Sequence, residues 1–302
     1  MPFDIVVSAE NSHYMAWQTK LFCYSAMIEL RQSPTVVVHE SEANTLHPAF
    51  EEVRNWGCRV IRAPCQRSHP IGDFPPRNEP GSLAIASELS FSAEQILFCE
   101  ADMLFCGELS YSCEIAAEHY TYLNYADSRI KRAAQELGLD FDPELLNRDY
   151  AIGVPYLLPT RLLKKLANRW MQVLDAFQEL TWIDIMYAFG IALLAEGIKP
   201  TISDAMVDNL DSLCRLRRPL IHYCYGDRIW RKRDFVERGD PIQMATRRLA
   251  HQFRGTVAGE IAKQMICART FSRCPRALQR TFANASRFAA RHRHQEPMFL
   301  VP

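Results

Sequence analysis

The run Gln95 to Phe105, QILFCEADMLF, is apolar, ends on the two carboxylates Glu100 and Asp102, and then resumes as Met-Leu-Phe. A carboxylate at the end of a buried strand must be hydrated, paired or holding a cation. Two acids two residues apart therefore suit either a solvated acidic turn or oxygen ligation of a divalent ion. His222, in PLIHYCYGD, also closes an apolar run, and Tyr223, Tyr225 and Gly226 follow it. Read alone, it is a strand-end histidine or a ligand. Asp184 lies beside Trp182 at the start of a largely apolar stretch, where it either caps a helix or faces a bound group.

These groups need elements to carry them. Phe3–Ser8, Pro34–His39 and Arg59–Ala63 are short apolar, β-branched runs. Between them lie a helical pattern from His13 to Leu30 (Trp17, Leu21, Tyr24, Met27 or Ile28) and a second from Phe50 to Trp56. Strand–helix–strand–helix–strand order predicts a parallel sheet with crossover helices. A Pro-rich loop, Pro64 to Pro80, leads to a helix from about Gly81 to Phe91 and then to the strand ending at Glu100. Further strands are expected at Tyr120–Tyr125, Ala151–Leu158 and Pro219–Tyr225. Helices are expected over 128–148, Arg161–Leu180, Trp182–Glu196 and beyond Asp240. In open α/β sheets ligands sit beyond the carboxyl ends of the strands. Ser8–Glu10, His39–Glu40 and Glu100–Asp102 fall at such ends.

A chain of 302 residues, 48% hydrophobic and 23% charged, buries a full core. No apolar run reaches the roughly 18 residues of a membrane span, and no signal peptide is legible at the start. Ten scattered cysteines form neither a CxxC nor a Cys/His cluster, so reduced thiols in a cytoplasmic protein are expected. Net charge is zero, but Pro241 to His294 carries eleven Lys or Arg against one acid, Glu260. Two units are expected: 1–240, an α/β domain, and 241–302, a basic helical extension. Arg273, Arg276, Arg280, Arg287, Arg291 and Arg293 alternate there with Phe271, Leu278, Phe282 and Phe288. That pattern suits a solvated helical appendage, or peripheral contact with the inner membrane face. No nucleic-acid-binding signature accompanies it.

Four segments, in order, resemble the family of plant hydroxyproline O-arabinosyltransferases and peptidyl-serine α-galactosyltransferases. NSHYMAWQTKLFCYS (Asn11–Ser25) is similar to its Tyr-x-x-Trp-Gln opening, and ILFCEADMLF (Ile96–Phe105) to its Glu-Pro-Asp-His-Ile-Phe stretch. TWIDIMYAFGIALLAEGI (Thr181–Ile198) resembles its Gly-Trp-x-x-Glu-Met-Tyr-Ala-Tyr helix, and IHYCYGD (Ile221–Asp227) its His-Tyr-Thr-Tyr-Gly. Together they cover roughly residues 5 to 235. Met103 replaces the family's His and Ala101 its Pro. Ile185 stands where the family has Glu, with Asp184 one residue earlier, about 100° away on a helix.

The resemblance implies a GT-A-like fold, a Rossmann-like, mostly parallel sheet flanked by helices, and a retaining glycosyltransferase. It would use a UDP-sugar donor, Mn²⁺ or Mg²⁺, and a hydroxyl acceptor on a peptide or small natural product. Asp102 and His222 would ligate the cation at this DxD-like motif, with Glu100 a second ligand, a water-mediated contact or a ribose partner. Ser8, Glu10, Trp17, Gln18, Arg77 (with Asn78) and Gly226 would hold the donor, Gly226 by allowing close backbone approach. Asp184 would hold the acceptor or a sugar hydroxyl. Front-face attack within an ion pair needs no protein nucleophile; Asp184 as nucleophile is the other route. The alternative function is a catalytically inactive sugar-nucleotide-binding protein, or one that acts through its basic C-terminal helices.

Overall fold

A computed structural model describes residues 2–40, 45–208, 211–224, 226, 229–237, 239–275 and 279. The chain opens with β1 (Asp4–Glu10), α1 (His13–Ser25), β2 (Thr35–Glu40), α2 (Pro48–Asn55) and β3 (Arg59–Pro64). β1 and β2 are continuous apolar runs because helices cover both of their faces. Ser12 caps α1 by accepting the Met15 amide, and Pro48 pre-sets the first turn of α2. A small hairpin, β4 (Ser68–His69) and β5 (Gly72–Asp73), occupies the Pro-rich loop. Helix α3 (Asn78–Ser87) then starts three residues before the expected Gly81, since Pro75–Arg77 already forms a 3-10 turn.

β6 (Gln95–Glu100) and β7 (Met103–Phe105) follow, separated only by Ala101 and Asp102. The next strand is β8 (Ala116–His119), not Tyr120–Tyr125. Tyr120 and Tyr125 are buried, yet the chain turns between them, with the Leu123 amide donating to the Tyr120 carbonyl. Aromatic content there reflects burial rather than a sheet register. The expected 128–148 helix is two, α4 (Ser128–Glu136) and α5 (Pro143–Asp149), divided at Gly138, whose φ is +68°. The remaining elements are β9 (Ile152–Pro159), α6 (Leu163–Asp175), α7 (Asp184–Ala195), β10 (Thr201–Ser203), β11 (Met206–Asp208) and β12 (Leu220–His222). Helices α8 (Pro241–Met244), α9 (Arg247–Gln252) and α10 (Val257–Arg273) follow.

The central sheet has seven strands in the order β10-β8-β9-β6-β1-β2-β3, with helices on its faces. It is mostly parallel; β9 alone runs against its neighbours β6 and β8. From β1 the chain winds outward through β2 and β3, then returns to lay β6 on the other side of β1. The carboxyl ends of β1 and β6 thus flank a topological switch point, where connections diverge and leave a crevice. A second sheet, β11-β12-β7, stands beside that edge.

Trp170, Phe98, Tyr156 and Phe189 fill the core under α6 and α7. On α10, Phe271 packs edge-on against Trp56, with ring centroids 5.1 Å apart, and against Tyr24 at 5.7 Å. The stretch beyond Asp240 therefore begins within the core that α1 and α2 share. Of the basic residues expected in an extension, Arg276, Arg280, Arg287, Arg291 and Arg293 lie outside the described residues. No described helix is long and apolar enough to cross a membrane.

Candidate metal and donor site

Three backbone facts bring the site together. β6 ends on Glu100, the chain turns through Ala101 and Asp102, and β7 leaves at once. β12 pairs antiparallel with β7, setting His222 opposite Met103, and the Tyr223 amide donates to the Asp102 carbonyl. A histidine more than a hundred residues away is thereby laid against the acidic turn. One donor atom from each of Glu100, Asp102 and His222 falls within 4.8 Å of the others. His222 Nε2 lies 3.1 Å from Glu100 Oε2 and 3.3 Å from Asp102 Oδ1.

The far side of the imidazole is fixed as well. Tyr120 Oη donates to the Val154 carbonyl at 3.0 Å, so its lone pair accepts from His222 Nδ1–H, also at 3.0 Å. The Nδ1 proton is held there, and Nε2 faces the carboxylates. Histidines that bind metals are commonly oriented by such a contact at the other ring nitrogen. Two carboxylates and an imidazole fit Mn²⁺ well, and Mg²⁺ through the oxygens.

Two further groups complete the electrostatics. The Lys232 ammonium forms a close ion pair with Asp102 Oδ2, and both side chains are largely buried. Burial alone would raise the Asp102 carboxyl, but Lys232 and His222 outweigh it and hold the group below the usual carboxylate range. Burial likewise opposes charge on His222, yet Asp102 and Glu100 push the imidazole up to about 10. Glu79, in the first turn of α3, is buried against Glu100 and Asp102. Its burial, reinforced by their charges, raises it well above the ordinary range, and its side chain hydrogen-bonds Glu100.

On the β1 side, Ser8 is the register partner of Glu100 across the parallel β1–β6 pair. Its Oγ exchanges a hydrogen bond with Ser82 Oγ at 2.8 Å, and Ser82 in turn meets His39 Nε2 at 2.8 Å. Glu10 accepts from Asn78 at 2.9 Å and pairs with Arg67 at 3.3 Å. Trp17 is buried and stacks on Tyr223 at 6.1 Å, and its Nε1 has no hydrogen-bond partner among the described residues. Gln18, also buried, donates to the Tyr14 carbonyl within α1.

Three expected residues also make structural contacts. Arg77 is spent on Asp175 at 3.0 Å and on the carbonyls of Gln66 and Ser68, tying the Pro-rich loop to α6. Gly226 has φ +84°, and a Cβ there would sit 2.1 Å from the Trp230 carbonyl oxygen. Its glycine is thus required by the tight turn that bridges to Arg231. Asp184 is fully buried; its carboxylate takes the Thr181 amide and the Arg129 guanidinium, the latter at 3.1 Å. It secures the start of α7, and its Oδ1 is unpaired among the described residues. Glu79, Tyr120 and Lys232 are site residues that sequence reasoning passed over. The sequence pattern puts Tyr120 in a strand and Glu79 in the Pro-rich loop, and no periodicity announces Lys232.

No family model matches the sequence, and no curated protein matches it. Among solved structures the chain is similar to the galactosyltransferase LgtC in complex with donor and acceptor sugar analogs. Identity there is 13% and the TM-score 0.48, over 87% of this chain and 96% of that one. It is also similar to the bifunctional glycosyltransferase WbbM, at 13% identity and TM-score 0.49, over 87% of this chain and 51% of that one. Mouse xyloside xylosyltransferase 1 shares 9% identity at a TM-score of 0.43, over 74% of this chain and 98% of that one. Likeness of chain course at this level carries no activity across.

Proposed function

We propose that the protein is a glycosyltransferase of GT-A-like architecture that takes a UDP-sugar and moves the sugar, with retention, to a hydroxyl acceptor. One observation carries this reading: Glu100, Asp102 and His222 converge within 4.8 Å at the carboxyl edge of the β1–β6 switch point. That is where an α/β sheet binds nucleotides, and where oxygen and imidazole donors suit a cation bridging a diphosphate.

When bound, Mn²⁺ or Mg²⁺ would neutralise charge that grows on the departing diphosphate. The chain's own residues do the rest. Glu100 and Asp102 offer the oxygens, Tyr120 aims His222, and Lys232 brings a further positive charge to the same edge. Ser8, Glu10, Trp17 and Gln18 form the donor side. In the transfer, the bond from the anomeric carbon to the phosphate oxygen breaks and one to the acceptor oxygen forms. The acceptor proton passes to the departing phosphate. Asp184, expected at the reacting atoms, acts in this reading through the turn it holds.

The test is thermal stability with UDP, GDP, TDP and CMP, each with and without Mn²⁺, for wild type and Asp102→Asn. A ligand at a hundred times its Kd adds about 2.7 kcal/mol. A UDP-selective, Mn²⁺-dependent rise that is lost in Asp102→Asn is the expected result. No shift with any nucleotide removes the reading.

A further inference from the structure

Trp230 belongs to two environments. It packs edge-on against Trp17 and Tyr223, with ring centroids 6.3 Å and 5.5 Å away. It also walls a cavity of about 130 Å³, together with Ile229, Met244 of α8, Leu249 of α9, and Ile261 and Met265 of α10. Each described residue that lines this cavity is apolar. A dry hole of that size holds a few methylenes or one small ring, and no sugar or nucleotide. Its mouth is open, since Met244 is 63% and Ile229 39% exposed. Single exposed apolar side chains are ordinary; two at the mouth of an apolar cavity mark a binding surface.

Charge indicates what covers it. From Pro241 to Pro275 the chain carries six Lys or Arg against one acid, Glu260, which pairs with Lys263. Arg269 donates to the Gln243 carbonyl and Arg273 to the Gln243 side chain, so two guanidinium groups are held at the residue before Met244. Arg247 and Arg248 open α9, are exposed, and precede Leu249 of the lining. Among the described residues no carboxylate pairs with these four arginines. Of the acids in the preceding segment, Asp234 pairs with Arg231 and Asp240 caps α8, while Glu237 is exposed.

An apolar hole flanked by unpaired cations matches an amphiphile with hydrocarbon tails and anionic heads. A second copy of the chain would bring like charge to the same face, as would the basic run from Arg276 to Arg293. A helical peptide would need a row of anchors, where this face offers one hole. We propose that the face around Ile229, Met244 and α9 docks peripherally on a bilayer that contains anionic phospholipid. Met244 and Ile229 enter between the headgroups and the end of an acyl chain fills the cavity. Arg247, Arg248, Arg269 and Arg273 meet the phosphates. The contact is made by α8 to α10, rather than by the arginines past Pro275 alone. It stands whether or not the acidic cluster serves sugar transfer.

Co-sedimentation of the full-length protein with vesicles tests it, using phosphatidylcholine alone and phosphatidylcholine mixed with phosphatidylglycerol. Wild type is compared with three variants, each checked for an unchanged melting temperature. They are Ile229→Ser with Met244→Ser, Arg247→Gln with Arg248→Gln, and a tail variant with glutamine at Arg276, Arg280, Arg287, Arg291 and Arg293. The expected result is binding to the anionic vesicles only, weaker in added salt. Affinity falls at least about tenfold in each of the first two variants and survives in the tail variant. Acyl chains brominated near their ends are expected to quench tryptophan emission in the wild type. Trp230→Phe should remove that quenching while leaving co-sedimentation in place. No vesicle binding, equal binding to both vesicles, or absence of quenching would overturn the proposal. So would loss in the tail variant with the first two unchanged. A dimer in sedimentation velocity that Met244→Ser dissociates, without vesicle binding, would assign the face to a second copy instead.

Discussion

His222 sits between two carboxylates and a tyrosine, and its proton decides how the cluster meets a cation. In the metal-free protein the imidazole is pushed up to about 10. A histidine whose folded value lies above its unfolded one stabilises the fold fully below about pH 6.5. That contribution fades as pH rises through the folded value. A cation needs the neutral ring, so between those limits its binding must expel one proton. Mn²⁺ affinity is therefore expected to rise about tenfold per pH unit from pH 7 to 9. Calorimetry in buffers of different ionisation enthalpy would register close to one proton released. A flat pH profile would show that His222 is not a ligand. His222→Gln should remove the slope while leaving weak binding through the two acids.

At the scale of elements, Gly226 and residues 229–235 matter most. Gly226 bridges to Arg231 at a position that tolerates no Cβ, and Trp230 and Phe235 pack against Trp17. Together they deliver the Lys232 ammonium to Asp102. A tethered cation already on one ligand competes with a free one. Lys232→Met is expected to tighten Mn²⁺ binding by roughly tenfold, since one favourable pairing of the free protein is gone. Titration of Mn²⁺ by electron paramagnetic resonance would show it, and an unchanged or weaker Kd would remove Lys232 from the competition. Nothing in the sequence announced this lysine. The strands β1, β2, β6 and β9 were legible because doubly covered strands are unbroken apolar runs, whereas β3, half-exposed at the sheet edge, showed only the β-branched pair Val60 and Ile61. The Glu100, Asp102 and His222 set was legible because each residue ends such a run. Lys232, Tyr120 and Glu79 act from turns or a helix start, where side-chain direction depends on tertiary contacts that no period encodes. Asp184 was legible as an acid at a helix start, but its partner, Arg129, is fifty-five positions away.

Over the whole molecule, one core runs from the first strand to the last described helix. Phe271 of α10 closes it by packing on Trp56 and Tyr24. Phe271→Ala should cost about 3 kcal/mol, the usual price of removing a buried aromatic ring. Chemical denaturation would show this as a lower midpoint with an unchanged slope. A loss under about 1 kcal/mol would mean that α10 contributes little to the core. The pairing of β12 with β7 has a consequence in time as well as in space. Glu100 and His222 are 122 positions apart. Closing so long a loop delays contacts of this kind relative to local ones. During synthesis the two acids leave the ribosome well before the imidazole exists, so a nascent chain cannot complete the ligand set early. If the cluster binds a cation as proposed, a chain truncated or stalled before β12 would have no competent site.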